Sequence, residues 1–352
     1  MSAPAFWRGR RVLLTGHTGF KGAWLSLWLE KLGAEVTGLS LAPDTEPSLF
    51  ALLAPFAAQA SRIGDIRDRD GVARAVAAAE PQIVIHMAAQ PLVRRSYAEP
   101  VETYATNVMG TVHLLDALRG APNLQAVLVV TTDKVYRNNE SGQPFSEQDP
   151  LGGHDPYSAS KAAAEIVTES YAASFLTAQG VRVATARAGN VIGGGDWAQD
   201  RLIPDLWRAV KAGVPLELRN PQSTRPWQHV LEPLGGYLVY AERLANGRLP
   251  AALNFGPDPD ETMTVAEVAN AMIDAMQAPH AWRPAATAAP QPKEARMLAL
   301  DPALAAWALG WRPRLDAHQA LQWTADWYKA FDGGAPPRAL CLDQIARYEA
   351  LA

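Results

Sequence analysis

Short apolar runs and longer amphipathic stretches alternate along the first two-thirds of the chain. The runs "RVLLT" (11–15), "EVTGLSL" (35–41), "QIVIHMA" (82–88), "AVLVVTT" (126–132), "VRVATARA" (181–188) and "AALNF" (251–255) are rich in Val, Leu and Ile and predict strands. Helical patterns fall between them at 22–32, 68–79, 101–119 and 157–178. Continuous apolar strands alternating with helices predict a parallel sheet covered on both faces. After about residue 190 the pattern breaks into short elements rich in Gly, Pro and Trp. That change predicts a smaller lobe resting on the C-terminal ends of the strands, where open sheets of this kind bind ligands.

Composition narrows the class. Of 352 residues, 48% are hydrophobic and 19% charged, which is globular composition. A net charge of −4 offers neither a basic footprint for nucleic acid nor an acidic tail. Cys341 is the single cysteine, so no disulfide can form within the chain, and a reducing cytoplasm is the expected setting. No apolar run approaches the roughly 18 residues that span a bilayer, and no signal peptide is recognised. The seven histidines are scattered without ligand spacing, so no metal site is expected. There are no repeats, and the only biased stretch is a modest Ala/Pro-rich segment at 278–292.

"TGHTGFKG" (15–22) follows the first strand and opens a helix, with Gly16, Gly19 and Gly22 spaced G-x-x-G-x-x-G. The first glycine permits a tight turn, the second a close approach of pyrophosphate, and the third close helix packing. The helix N-terminus then offers free N–H groups to the anion. The fold expected is therefore α/β, a Rossmann-type doubly wound parallel sheet with a smaller C-terminal substrate-binding lobe. Residues 1–190 with about 226–256 form the expected dinucleotide domain, and about 191–225 with 257–352 the lobe. The tail 332–352 carries no usable motif. The second strand reaches Ser40 and Leu41 with no acid before Asp44 and no basic cluster, so these residues leave NAD and NADP both open. "GDIRD" (64–68) places Asp65 at a strand end suited to an adenine amino group. "HMAAQP" (86–91) supplies small residues where a flat cofactor passes close to the backbone, and His86 reads as a packed residue rather than a catalyst.

"YSASK" sets Tyr157 and Lys161 four residues apart on one helix face. An ammonium near a phenol favours phenolate, so Tyr157 is expected to act as a base near neutral pH. Thr132, at the tip of the preceding strand, can hydrogen-bond the same substrate hydroxyl. The adjoining Asp133 and Lys134 are two charges delivered to the end of a buried strand.

The glycine motif, "HMAAQ", Thr132, and Tyr157 with Lys161 together resemble the extended short-chain dehydrogenase/reductase superfamily of nucleotide-sugar enzymes. "FWRGRRVLLTGHTGFKGAWLSLWLEKLGAEVTG", "TTDKVY", "DPYSASKAAAE", "GNVIGGGDWAQDRLIPD" and "RNPQSTRPWQHVLEPLGGYL" resemble the CDP-glucose 4,6-dehydratase family. The likeness runs from Phe6 to about Phe331, closing on "LGWRPRLDAHQALQWTADWYKAF".

The resemblance implies a lyase that oxidises the sugar at C4, eliminates water across C5 and C6, and returns hydride to C6, with NAD regenerated in each turnover. It implies that Thr132, Asp133, Lys134, Tyr157 and Lys161 are catalytic. An epimerase needs no acid–base pair beyond the Tyr–Lys–Thr set, whereas a dehydratase must protonate the departing 6-hydroxyl and remove the C5 proton. Asp133 is the implied acid. Lys134 is either the base, as a neutral amine, or a charged group that stabilises the C5 enolate or positions a water. The dTDP-glucose relatives usually carry Asp-Glu here. Thr18, Phe20, Lys21, Ile66, Ala88, Ala89 and Gln90 are the remaining cofactor contacts so implied, beside Gly16, Gly19, Gly22, Ser40 and Asp65. Asn190 and Arg225 are expected to grip the sugar diphosphate, with Ser96, Arg201, Arg219 and Asn254 in support and Arg94 and Arg95 within reach. Helices 101–119 and 157–178 carry Val108, Val112, Leu115, Ile166, Val167 and Tyr171 over a wide arc. A two-fold homodimer through a four-helix bundle is expected from that arc and from the relatives. The competing readings are a nucleotide-sugar 4-epimerase, a dehydratase for another nucleotide sugar, and a non-enzymatic nucleotide-binding protein on the same fold.

Overall fold

The computed structural model describes residues 3–55, 60–278, 282–285, 295 and 297–351. Most of the Ala/Pro-rich stretch 278–292 lies outside the described residues. Strands β1 (Arg11–Thr15), β2 (Glu35–Ser40), β3 (Ser61–Ile63), β4 (Ile83–His86), β5 (Ala126–Val130) and β6 (Arg182–Ala188) form one sheet with the edge strand Ala252–Phe255. Its order is Ala252–Phe255, β6, β5, β4, β1, β2, β3, and every neighbouring pair is parallel. The chain leaves β1 toward β2 on one side and returns to β4 on the other. The crevice of the fold therefore opens at the C-terminal ends of β1 and β4.

Alternate residues of the strands feed two cores, as the period of two requires. Val12, Leu14, Ile83, Ile85 and Leu128 pack with helices Phe20–Lys31 and Leu231–Asn246. Leu13, Val84, Val127 and Val129 pack on the opposite face with Val72, Val76, Leu114 and Leu115. Residues 22–29 of helix Phe20–Lys31 are all buried, Trp24 and Trp28 among them. A helix of that kind needs cover beyond the sheet. Helix Pro337–Ala350 supplies it: Trp28 Nε1 donates to Glu349 Oε1 at 2.9 Å, and the Trp28 and Tyr348 rings meet edge to face at 5.8 Å. This last helix also packs against helix Ala317–Asp332.

Both long helices expected from periodicity contain a π-helical segment, Ala105–Met109 and Ala172–Leu176. No helix among the described residues is long and apolar enough to cross a membrane.

Candidate active site

The C-terminal ends of the strands open on a cavity of about 590 Å3 that runs from the glycine loop to the short elements after β6. The loop fits the physical demands of a dinucleotide. Gly16 has φ +76°, and a Cβ there would lie 2.7 Å from the Ala88 nitrogen. A Cβ on Gly22 would meet the Gly16 carbonyl oxygen at 2.0 Å, so the helix can close on the loop only with glycine there. Above Gly19 a Cβ would meet nothing nearer than 3.6 Å. Helix Phe20–Lys31 begins without a side-chain cap, leaving its first N–H groups for an anion. Gly22→Ala is expected to lower unfolding free energy by about 1–3 kcal/mol through the forced displacement of the Gly16 turn. Urea unfolding of the two proteins side by side measures this, and equal midpoints would contradict the packing role.

Thr18 Oγ1 donates to the Leu41 carbonyl at 2.9 Å and shares a hydrogen bond with Ser40 Oγ at 2.8 Å, which ties the glycine loop to the end of β2. Strand β3 provides the strand end that the reading of Asp65 requires. Arg67 holds the Asp65 carboxyl below the usual carboxylate range through a two-pronged ion pair. Phe20, Ile66, Ala88, Ala89 and Gln90 line the same end of the cavity. His86 is buried between Thr15 (2.6 Å) and Thr111 (3.1 Å), and burial pushes it down to about 3, in keeping with a packed residue. Lys21 also faces the cavity, 3.2 Å from the Tyr237 hydroxyl. Burial, then the nearby Lys161 and Arg201 cations, push it down to about 7.

Tyr157 and Lys161 lie on helix Pro156–Tyr171, whose start is fixed by Asp155. The Asp155 carboxylate accepts the Ser158 N–H at 2.9 Å, and Pro156 occupies the first turn, where no donor is needed. Thr132 Oγ1 donates to Asp133 Oδ1 at 2.9 Å and makes a further hydrogen bond with the Tyr157 phenol. Lys134 Nζ donates to the same Asp133 oxygen at 3.2 Å. Tyr157, Thr132, Asp133 and Lys134 thus form one connected chain of polar hydrogens. Asp133 is 1% exposed, and its Oδ2 has no hydrogen-bond partner among the described residues. Lys134 faces the cavity, while Asp133 stands behind it and behind Thr132.

Tyr157 and Lys161 share one helix face, as the four-residue spacing requires, but differ in their partners. Burial pushes the phenol up to about 12. The Lys161 ammonium donates instead to the Val130 carbonyl at 3.0 Å, and burial pulls it down to about 8. Desolvation penalises both charged forms.

Arg201, Arg219, Arg225 and Asn190 line the far end of the cavity. Arg201 pairs with Asp196 at 2.9 Å, which raises its pKa further. Arg219 pairs with Asp200 at 3.0 Å, and Arg94 reaches that same carboxylate at 3.7 Å across the cavity mouth. Ser96 and Asn254 are not brought to the cavity. Ser96 is buried and donates back to the Val93 carbonyl at 2.6 Å within its helix. Asn254 is spent on Tyr136 (2.7 Å) and the Phe145 carbonyl (2.8 Å). Sequence reasoning missed Asn107, which brackets Gln90 from the π-helical segment. It accepts the Gln90 N–H at 2.8 Å and donates to the Gln90 carbonyl (3.1 Å) and Ser160 (2.9 Å). Asp155 was findable, since Asp-Pro before an amphipathic run is a helix-start signal. Among the described residues there is no group of three or more His, Cys, Asp or Glu side chains able to hold a metal.

A model of the NAD dependent epimerase/dehydratase family matches residues 12–256. The chain belongs to that family. Among curated relatives, a CDP-glucose 4,6-dehydratase of Salmonella typhimurium is 46% identical over 350 residues, 97% of each chain. A dTDP-glucose 4,6-dehydratase of Xanthomonas campestris pv. campestris is 28% identical over 333 residues, covering 90% of this chain and 92% of the relative. Among solved structures of family folds, a dTDP-glucose 4,6-dehydratase from Streptomyces venezuelae with NAD and TYD bound superposes with a TM-score of 0.78 at 28% identity. That match covers 93% of this chain and 99% of the other.

Proposed function

We propose that the protein is an NAD-dependent CDP-glucose 4,6-dehydratase that converts CDP-D-glucose to CDP-4-dehydro-6-deoxy-D-glucose and water. The observation that carries this reading is the Asp133–Lys134 pair, hydrogen-bonded through Thr132 to Tyr157 at the cavity wall. Oxidation and reduction at C4 alone have no use for a further acid–base pair there. NAD, when bound, supplies the reversible removal of hydride from C4 and its return to C6. Tyr157 takes the proton of the 4-hydroxyl, and the positive ring of NAD, when bound, would favour its phenolate against the burial that opposes it. With a ketone at C4 the C5 proton is acidic, and Lys134, the member of the pair that faces the cavity, is placed to take it or to stabilise the enolate. The proton for the departing 6-hydroxyl comes from the Asp133–Lys134 pair along their 3.2 Å hydrogen bond. Asn190, Arg201, Arg219 and Arg225 meet the sugar diphosphate. Residues 1–190 with about 226–256 then hold the cofactor, while about 191–225 and 257–352 hold the nucleotide sugar. Incubation with a panel of nucleotide sugars and product mass detection tests the assignment. Loss of one water from CDP-glucose supports it, whereas a product of unchanged mass points to epimerisation.

The enzyme is further proposed to work in the cytoplasm as a two-fold dimer. Cys341 is a free, buried thiol suited to a reducing compartment. Val101, Tyr104 and Met109 on one helical stretch and Ile166 on the neighbouring helix are exposed apolar side chains, Val101 by 82%. Leu115, expected on that face, is turned into its own core. Light scattering is expected to give twice the monomer mass at micromolar protein, and Val101→Glu with Ile166→Glu to shift it toward the monomer. A wild-type monomer would contradict the pairing.

A further inference from the structure

The turn that carries Asp133 and Lys134 is held at both ends by one buried ion pair whose two side chains do not line the cavity. Glu165 lies four residues beyond Lys161 on the same helix, and its carboxylate pairs with Arg187 of β6 through Nε (3.0 Å) and Nη2 (2.7 Å). Both side chains are about 95% buried. Glu165 also accepts hydrogen bonds from Thr185 (2.6 Å) and from Thr131, the residue immediately before Thr132. Arg187 Nη1 donates to the Tyr136 hydroxyl at 2.8 Å, and Tyr136 immediately follows the turn Asp133–Val135. The Tyr136 hydroxyl donates onward to Asn254 at 2.7 Å, and its ring stacks on Phe145 at 4.9 Å.

A buried charge pair is poor evidence for stability, because desolvation offsets most of the attraction. What this one does is geometric. The helix that carries Tyr157 and Lys161 grips the turn that carries Asp133 and Lys134, before it through Thr131 and after it through Arg187 and Tyr136. The two halves of the chemistry, oxidation at C4 and elimination across C5 and C6, use groups from these two different elements. Their relative placement must hold to a fraction of an ångström for both to act on one sugar.

We propose that Glu165, Arg187, Tyr136 and Thr131 form a clamp of positioning residues that sets the Asp133–Lys134 pair against Tyr157, and that it serves elimination rather than oxidation. This rests on the dehydratase reading above. Arg187 variants would leave a buried carboxylate unpaired and risk misfolding, so the test uses Tyr136→Phe and Thr131→Val, each of which keeps the shape and removes one hydroxyl. With CDP-glucose, both are expected to keep KM within about twofold and to form the C4 ketone at near the wild-type single-turnover rate. Release of water and deuterium exchange at C5 should slow by about ten- to hundredfold, with Thr131→Ser restoring both. A wild-type enzyme that releases no dehydrated sugar would sink the activity assignment, and the clamp with it. If the wild type dehydrates and either hydroxyl-less variant slows oxidation and elimination equally, or neither, the clamp alone is overturned.

Discussion

Tyr157→Phe is expected to lower the rate of C4 oxidation by about 10²–10⁴-fold, the range for loss of a general base. The fold should survive, because the ring stays in its place at the start of helix Pro156–Tyr171 and only the hydroxyl facing Thr132 is lost. The effect should fall on the first step alone. Single-turnover mixing with CDP-glucose should therefore show reduced cofactor forming slowly, and elimination following without further delay. A variant that keeps more than about a tenth of the wild-type oxidation rate would remove Tyr157 from the role of base. The structure adds a reason for a large effect. Burial pushes the phenol up to about 12, so its phenolate forms only with help from a positive charge placed beside it.

Lys134→Met is expected to separate the two halves of the reaction. C4 oxidation should proceed, since Tyr157, Lys161 and Thr132 are intact, but elimination should slow by about 10²–10⁴-fold. The reduced cofactor would then accumulate on the enzyme, visible in its absorbance. Methionine keeps the length of the side chain and removes the donor that Asp133 Oδ1 receives at 3.2 Å. Lys134→Glu should recover part of the elimination if a base is the requirement, and none if a positive charge is. Full turnover by the methionine variant would make Lys134 a bystander.

The sheet was legible because its strands carry short apolar runs, clearest in "AVLVV" (126–130), all five residues of which are buried. β3 shows no such run: Ser61–Ile63 is a three-residue edge strand with Ile63 62% exposed. The π-helical segments escape periodicity because one extra residue in a turn leaves the run of apolar residues nearly unchanged. The glycine loop, Thr132, Tyr157 and Lys161 could be placed from short motifs, since each is set by its own strand–turn–helix context. Ser96 and Asn254 could not. A polar residue in a motif can bond a ligand or its own backbone, and only the packing around it decides. Asp133 is the intermediate case: its place beside Thr132 was legible, but its position behind Lys134 was not. The wide apolar arc of the two helices misdirected attention to Leu115, whereas Val101, Tyr104 and Met109 carry the exposed face.

The central claim is that one bound cofactor carries a hydride from C4 to C6 while Asp133 and Lys134 remove water between them. CDP-glucose deuterated at C4 tests this directly, with the product read by NMR. The expected product is a 4-keto-6-deoxy sugar with the C4 deuterium now in its C6 methyl group. Deuterium still at C4 of a sugar that keeps its 6-hydroxyl would contradict it.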